Sequence, residues 1–214
     1  MPDELHQPAT DDGPDWAAYY RHTLGREPRP LFAKGMAALE AAGTVPGQAV
    51  EIGFGDGTET LTLLAAGWRV VAVDPAPQAA EVLQDRVDGA HADRLEIRTD
   101  SAETASLPPF DLLYAGYALS FIRPAAFRGF WRRVRAGLRP GGFLVVNVFG
   151  VRDTWAEDPD MTFVARDEVF RMIQGLEVVA LDEEDQDGDS FTGPKHWHVF
   201  DVIARRPLQV AAAR

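Results

Sequence analysis

The sequence of 214 residues contains no cysteine. This absence excludes disulfides, thiolate-bound metals, iron–sulfur clusters and a cysteine nucleophile. Long apolar runs are absent as well, since none approaches the roughly 20 residues that span a bilayer. The first residues, MPDELHQPATDDG, also lack the basic start and apolar stretch of a signal peptide. We therefore expect a cytoplasmic protein that makes no contact with a membrane.

Positive charge is scarce, with 21 lysines and arginines against 33 acidic residues and a formal net charge of -12. Proteins that bind DNA or RNA meet the phosphate backbone with clustered basic side chains. The composition therefore predicts that nucleic acid is not a partner. A chain of this length suits one well-buried domain and leaves little room for a second.

The pattern along the chain divides it into four parts. We predict a disordered tail over residues 1–14 and a helical lid over 15–44, in which Trp16, Tyr19 and Tyr20 follow helical spacing. An α/β domain over 45–206 and a C-terminal tail over 207–214 complete the chain.

Strands alternate with helices through the α/β domain. Runs rich in Val, Leu and Ile, such as QAVEI, WRVVAVD and FLVVNVF, are separated by helical segments, which predicts a doubly wound, Rossmann-like parallel sheet. We expect seven strands. The last two, LEVVALDEE and KHWHVFDVIARR, flank the polar turn DQDGDSFTGP. A turn of this kind makes a hairpin, so we expect the last strand to be antiparallel.

The segment AVEIGFGDGTET places Gly53, Gly55 and Gly57 between a strand and a helix. Glycines at such a turn let the backbone approach a ligand, and the helix N-terminus offers free N–H groups. The dinucleotide fingerprint G-x-G-x-x-G requires a glycine where this sequence has Thr58. The loop therefore predicts a ligand site without matching the dinucleotide pattern.

Three carboxylates are expected around this site. Asp74 ends the second strand, where an acidic residue can accept both hydroxyls of a ribose in any adenosine-bearing ligand. Asp100 ends the third strand and could accept an adenine amine, while Glu51 precedes the glycine loop. This negative charge disfavours an anionic pyrophosphate and favours a ligand with a cationic centre.

Five segments, EIGFGDG, AVDPAP, TDSAE, FDLLYAGYALSFI and LRPGGFLVVNVFG, follow one another in an order and spacing that resemble the motifs of class I S-adenosylmethionine-dependent methyltransferases. The resemblance covers about residues 45–206 and implies an S-adenosylmethionine-binding methyltransferase domain there. The segments TGPKHWHVF and VIARR are more narrowly similar to small bacterial methyltransferases of the tellurite-resistance type. The segment AGYALSF lacks the Asn/Asp-Pro-Pro-Tyr/Phe motif of enzymes that act on DNA or amide nitrogens, which disfavours that chemistry.

The resemblance also implies roles for residues at the strand ends. The glycine loop would pass under the methionine part of the cofactor, with Glu51 supporting the loop or the amino group, and Asp74 would bind the ribose. The full set of cofactor-binding residues that it implies is Glu51, Gly53, Phe54, Gly55, Gly57, Asp74, Pro75, Asp100, Ser101, Ala102, Ala115, Gly116 and Tyr117. Phe54 is itself a departure, because the family often carries Cys or Ser there.

Methyl transfer requires positioning more than a particular catalytic side chain, because the cofactor carries the reactive group. We expect a small-molecule acceptor, methylated on O, N or S by direct in-line transfer, with S-adenosylhomocysteine as the product. The candidates on the acceptor side are Tyr20, Tyr117, Trp155, His196 and His198. The two histidines share one strand face, but no third ligand accompanies them, so we predict no metal site.

Two other functions share part of this pattern. An NAD-dependent oxidoreductase also has a strand, a glycine loop and an acidic ribose residue. A non-catalytic S-adenosylmethionine-binding protein is the second alternative, because the sequence indicates no indispensable catalytic residue.

Overall fold

The computed structural model describes residues 22–208, which form a seven-stranded sheet with helices on both faces. The strands are β1 (Gln48–Ile52), β2 (Arg69–Val73), β3 (Leu95–Arg98), β4 (Phe110–Ala115), β5 (Leu138–Phe149), β6 (Glu177–Ser190) and β7 (Gly193–Arg205). The helices are α1 (Pro30–Ala41), α2 (Thr58–Ala65), α3 (Pro77–Arg86), α4 (Pro124–Gly137) and α5 (Arg166–Met172). No helix within these residues has the length and apolar character needed to cross a membrane.

The strand order is β3-β2-β1-β4-β5-β7-β6. Strands β1 to β5 pair in parallel, whereas β7 is antiparallel to both of its neighbours. The predicted Rossmann-like sheet with an antiparallel last strand is therefore confirmed. The order reverses between β1 and β4, and such a reversal opens a crevice at the carboxyl ends of the strands.

Apolar side chains pack on both faces of the sheet. On one face, Leu31 of α1, Leu63 of α2 and Leu83 of α3 belong to one buried cluster. On the other face, Phe130 of α4 and Val169 of α5 belong to a second cluster. Burying both faces explains why the strands read as nearly continuous apolar runs.

The second half of the region expected as a helical lid contains helix α1. Helix α1 begins with Pro30 at its first turn and buries Leu31, Phe32 and Leu39 against the sheet. It therefore forms a layer of the fold, and none of its residues lines the cavity described below. Residues 15–21 of the predicted lid, which include Trp16, Tyr19 and Tyr20, lie outside the described residues, as do the predicted tail over 1–14 and most of the predicted C-terminal tail.

The β6–β7 hairpin is longer than the sequence indicated. The segment DQDGDSFTGP was predicted as a turn, but β6 continues to Ser190 and only Phe191 and Thr192 separate the strands. Polar cross-strand pairs extend the ladder, because Asp185 and Asp187 lie opposite the two histidines of β7. The hairpin therefore reaches beyond the sheet at the end where the crevice opens.

Candidate active site

A cavity of about 920 Å³ lies at the carboxyl ends of the strands. Its walls come from the loop after β1, the ends of β2 and β4, the loop after β5, the β6–β7 hairpin and residues 22–29. The hairpin tip meets the N-terminal segment over this cavity, with 5.4 Å between the ring centroids of His22 and Phe191. The volume lies within the range of small-molecule sites.

The glycine loop forms one end of the cavity. Gly53, Gly55 and Gly57 have φ angles of 71°, 53° and 77°. Side-chain-bearing residues rarely adopt this left-handed conformation. A Cβ at Gly53 would also lie 2.4 Å from the Cβ of Ala118. The loop thus keeps a backbone-lined cradle that any side chain at Gly53 would disturb.

Asp74 ties this loop to the end of β2. Its carboxylate accepts hydrogen bonds from the backbone N–H of Gly55, at 3.0 Å, and from that of Ala76, also at 3.0 Å. The side chain lines the cavity although the residue is only 4 % exposed. A carboxylate at the edge of a cavity is chemically suited to accept hydroxyl groups of a ligand.

A buried ionic cluster lies beside the loop. The Arg26 guanidinium donates to both carboxylate oxygens of Glu59, at 2.6 Å each, and to Asp56 at 3.2 Å. Although burial opposes ionisation of Glu59, the hydrogen bonds from Arg26 lower its pKa. Burial and the nearby Glu59 charge raise the pKa of Glu51 well above its usual value. The sequence interpretation missed Arg26 and Glu59, since only their pairing distinguishes them from other charged residues.

Tyr114 places a polar atom in the same region. Its hydroxyl is buried, lines the cavity wall and has no hydrogen-bond partner among the described residues. Burial raises the pKa of this phenol well above its ordinary value. A Cβ at Gly116 would lie 2.3 Å from the hydroxyl oxygen, so the glycine keeps space beside it. A buried polar atom without a partner is unusual in a folded protein and fits a ligand that supplies one.

Tyr117 lines the cavity between the glycine loop and a group of aromatic rings at the opposite end. Its φ of 56° is the positive value of a non-glycine residue, a strained conformation that concentrates at functional sites. The side-chain oxygen of Asn147 accepts its backbone N–H at 2.6 Å and holds this geometry. The Arg29 guanidinium lies 4.8 Å from the centroid of its ring.

Aromatic rings line the opposite end. Phe149 is central, with ring centroids 5.8 Å from Trp155 and 6.0 Å from Trp197. Tyr117 contacts Trp197 edge-on at 5.7 Å, and Phe121 lies 6.4 Å from Trp155. All five rings line the cavity, and we call them the aromatic wall. Only Tyr117 and Trp155 were predicted for this region.

A buried ion pair supports the aromatic wall. Lys195 Nζ lies 2.6 Å from Asp153 Oδ1, and both side chains are almost fully buried. The same nitrogen lies 3.4 Å from the Trp155 ring centroid, 4.0 Å from that of Trp197 and 4.8 Å from that of Phe149. Burial lowers the pKa of Lys195, although Asp153 opposes the change. Asp153 also accepts the backbone N–H of Trp155 and so fixes the loop that carries this ring.

The histidines lie away from the cavity, contrary to the expectation that they start near its mouth. His198 is buried, with Nδ1 accepting the Arg152 backbone N–H and Nε2 at 3.0 Å from Glu183. His196 lies between Asp185 and Asp187. The strand alternation was correct, but Trp197 is the residue that points into the cavity. No group of three or more potential ligands within residues 22–208 is arranged to hold a metal.

The other predicted site residues divide between the cavity and its surroundings. Those that line it are Glu51, Gly53, Phe54, Gly55, Asp74, Pro75, Gly116, Tyr117 and Trp155. Those outside its lining are Gly57, Asp100, Ser101, Ala102 and Ala115. Asp100 and Ser101 are exposed, and Ala115 is buried in the core. Their roles stay predictions, and Tyr20 lies outside the described residues.

The sheet order, the glycine loop and the acidic residue after β2 define a Rossmann-like domain of the kind that binds nucleoside cofactors. A family model described as a methyltransferase domain matches residues 50–144. Residues 50–144 of the chain therefore carry the sequence pattern of a methyltransferase domain, and they include the glycine loop and Asp74.

Among curated proteins, the chain is 30% identical over 110 residues to carboxy-S-adenosyl-L-methionine synthase from Erwinia tasmaniensis. The match covers 47% of this chain and 43% of that protein, so it spans less than half of the relative.

Solved structures share the fold. TehB from Haemophilus influenzae has a TM-score of 0.69 at 14% identity, with 89% of this chain and 67% of that chain covered. The 1,6-didemethyltoxoflavin-N1-methyltransferase from Burkholderia thailandensis, solved with bound 1,6-didemethyltoxoflavin and S-adenosylhomocysteine, has a TM-score of 0.62 at 22% identity. That comparison covers 84% of this chain and 77% of the other.

Proposed function

We propose that this protein transfers the methyl group of S-adenosylmethionine to an O, N or S atom of a small-molecule acceptor and forms S-adenosylhomocysteine. The observation that carries the proposal is the left-handed glycine loop held to Asp74 by the Gly55 N–H. The name of the Erwinia relative specifies an S-adenosylmethionine derivative as its product, and the Burkholderia structure holds S-adenosylhomocysteine. Both support this class of cofactor.

The residues of one cavity end fit such a cofactor. The glycine loop lines the cavity with its backbone, and the carboxylate of Asp74 is chemically suited to ribose hydroxyls. The Tyr114 hydroxyl, which has no hydrogen-bond partner within residues 22–208, lies in the same wall as the carboxyl of Glu51, and the two groups suit a polar amino-acid moiety. The cofactor, when bound, supplies a methyl group on a positively charged sulfur, which is left as a neutral thioether.

The chain's own part in the reaction is to orient and to exclude water. Gly116 and Tyr117 follow β4, where the glycine-loop end of the cavity meets the aromatic wall, and this wall would hold an acceptor heteroatom towards the methyl carbon. The acceptor's lone pair would form the new bond to the methyl carbon as the carbon–sulfur bond breaks, and any proton on the acceptor atom would leave to water. Positioning of this kind can supply about 7–11 kcal/mol of the barrier.

Ligand-induced thermal stabilisation tests the cofactor. A ligand at about 100 times its Kd stabilises the folded state by about 2.7 kcal/mol. We expect S-adenosylmethionine and S-adenosylhomocysteine to raise the melting temperature and NAD(H) to leave it unchanged. A shift with NAD(H) alone would instead support the oxidoreductase alternative, which the family match does not favour.

Transfer itself needs a second measurement. Incorporation of a labelled methyl group into members of a small-molecule acceptor panel distinguishes an enzyme from a protein that only binds the cofactor. We expect label in the acceptor fraction together with formation of S-adenosylhomocysteine. Binding without transfer to any acceptor would favour the non-catalytic alternative.

A further inference from the structure

The aromatic wall has a chemical character that narrows the acceptor. Two of its five rings come from the segment after β4, and the others come from the end of β5, the following loop and β7. Their mutual contacts are edge-on or tilted, with centroids 5.7–6.4 Å apart. Rings arranged in this way around a cavity offer a flat aromatic guest both stacking and edge contacts.

Aromatic cages often bind cations, because the face of each ring is negative. Here a cation of the protein already contacts four of the five rings. Lys195 lies over Trp155, Trp197 and Phe149, and Arg29 lies over Tyr117. A ring polarised by one cation attracts a second one less strongly. Two carboxylates of β6, those of Glu184 and Asp189, also line the cavity, so the test below includes a cationic probe.

We propose that the aromatic wall binds a flat aromatic acceptor that carries no positive charge, with Lys195 setting the preference against cations. This inference rests on the proposed methyltransferase function. It also agrees with the chemistry of transfer, because a nucleophile in a cationic acceptor would approach a positively charged sulfur. Trp155 and Trp197 supply the largest contact surfaces, and the Lys195–Asp153 pair holds both rings in place.

Calorimetric titration of the protein saturated with S-adenosylhomocysteine tests the inference with four matched probes. The probes are 2-naphthol, 2-naphthoate, the cation 1-methylquinolinium and the non-planar alcohol decahydro-2-naphthol. We expect the first two to bind about tenfold more tightly than the other two, the size of effect that one or two good ring contacts give. Equal binding of 1-methylquinolinium or of the decahydro alcohol would overturn the inference.

Variants then assign the effect to residues. Trp197→Leu should weaken 2-naphthol binding about tenfold, with the affinity for S-adenosylhomocysteine unchanged. Phe170→Leu is the matched control, because this ring is exposed on α5 and lies under Arg166. Equal loss in both variants, or no loss in Trp197→Leu, would contradict the role of the aromatic wall.

The role of Lys195 requires a paired change, because removing it alone leaves a buried Asp153 charge. Lys195→Met combined with Asp153→Asn removes both charges. We expect the preference for 2-naphthol over 1-methylquinolinium to shrink in this double variant, and an unchanged preference would remove Lys195 from the inference. Failure of S-adenosylhomocysteine to bind the native protein would overturn the proposed function, whereas its binding without 2-naphthol binding overturns only this inference.

Discussion

The two ends of the cavity are built on different principles. The end that we propose for the cofactor, called the cofactor end, is built from backbone geometry and charge. It has the left-handed glycines, Asp74 bonded to two backbone N–H groups, and the Arg26–Glu59 pair. The end that we propose for the acceptor, called the acceptor end, is the aromatic wall, whose rings contact one buried lysine. A geometry fixed by the backbone can recognise one ligand closely, whereas packed rings can accept a class of flat molecules. We therefore expect substitutions at the first end to have large effects on one ligand, and substitutions at the second end to change preference among ligands.

The strongest way to break this comparison is Gly53→Ala. The new Cβ would lie 2.4 Å from the Cβ of Ala118, and the φ of 71° adds roughly 1–2 kcal/mol of strain. We expect no detectable thermal shift with S-adenosylhomocysteine. Gly43→Ala is the control, because Gly43 has a φ of 66° with no atom within 4 Å of the added Cβ. The Gly43→Ala variant should lose a similar amount of stability from backbone strain and keep the thermal shift with S-adenosylhomocysteine. A normal thermal shift in Gly53→Ala would contradict the proposal that the ligand binds against the glycine loop.

A smaller effect is expected from Asp74→Asn, which preserves shape and removes charge. Hydrogen bonds to charged groups contribute about 1.5–3 kcal/mol, so the affinity for S-adenosylhomocysteine should fall by about ten- to a hundredfold. The control is Asp88→Asn, where a similar carboxylate accepts the Ala90 backbone N–H at 3.0 Å on an exposed turn. Titration calorimetry measures both, and equal affinities in Asp74→Asn and the native protein would contradict ribose binding at β2.

The same contrast explains what the sequence revealed. Much of the cofactor end comes from one continuous stretch, residues 51–75, so spacing alone placed Gly53, Gly55 and Asp74 around the cavity. The acceptor end joins Tyr117 to Trp197 across eighty positions of sequence, and only the sheet order brings them together. Trp197 and the two histidines show what the sequence could not predict. The alternation of side chains along β7 could be predicted, but the choice of the face that lines the cavity depends on how the hairpin packs.

The ionic cluster shows another limit. Glu51 was predicted as part of the site from its position at the end of β1, but its state depends on Glu59, and that of Glu59 on Arg26. A charged pair thirty-three residues apart leaves no local pattern in a sequence. Strand ends could be predicted, whereas long-range charge pairing could not.

A third prediction concerns the pH dependence of the free energy of unfolding, to which Glu51 contributes. We expect this effect to be smaller than the two losses of ligand binding. The folded-state pKa of Glu51 is raised by burial and by the Glu59 charge. The stability that its protonated form contributes is therefore present below the unfolded-state pKa and is lost as the pH rises through the folded-state pKa. Within that window the loss is about 1.4 kcal/mol per pH unit. Glu51→Gln stays neutral, so its free energy of unfolding should not show this decline.

Urea unfolding at several pH values from 4 upwards measures the difference between the two proteins. Glu96→Gln serves as the control, because Glu96 is exposed and pairs with Arg98 at the surface. Parallel pH profiles for the native protein and Glu51→Gln would show that Glu51 ionises normally in the folded state.

The smallest effect is expected from His196→Asn, which lies outside both ends. Its two ring nitrogens are 2.8 Å from Asp185 and from Asp187. These carboxylates raise the pKa of His196, so the imidazolium stabilises the hairpin below the unfolded-state pKa and the contribution disappears as the pH rises through the folded-state value. The group is partly exposed, and salt screens such pairs. The melting temperature of His196→Asn should therefore be slightly below that of the native protein at pH 6, and the difference should vanish at pH 9 or in high salt.

Because Trp197, and not His196, faces the cavity, the affinities for S-adenosylhomocysteine and 2-naphthol should be unchanged. Asp187→Asn should reproduce the small pH-dependent shift. A loss of either affinity in His196→Asn would contradict this prediction. It would show that the face of β7 that carries His196 contributes to ligand binding together with the aromatic wall.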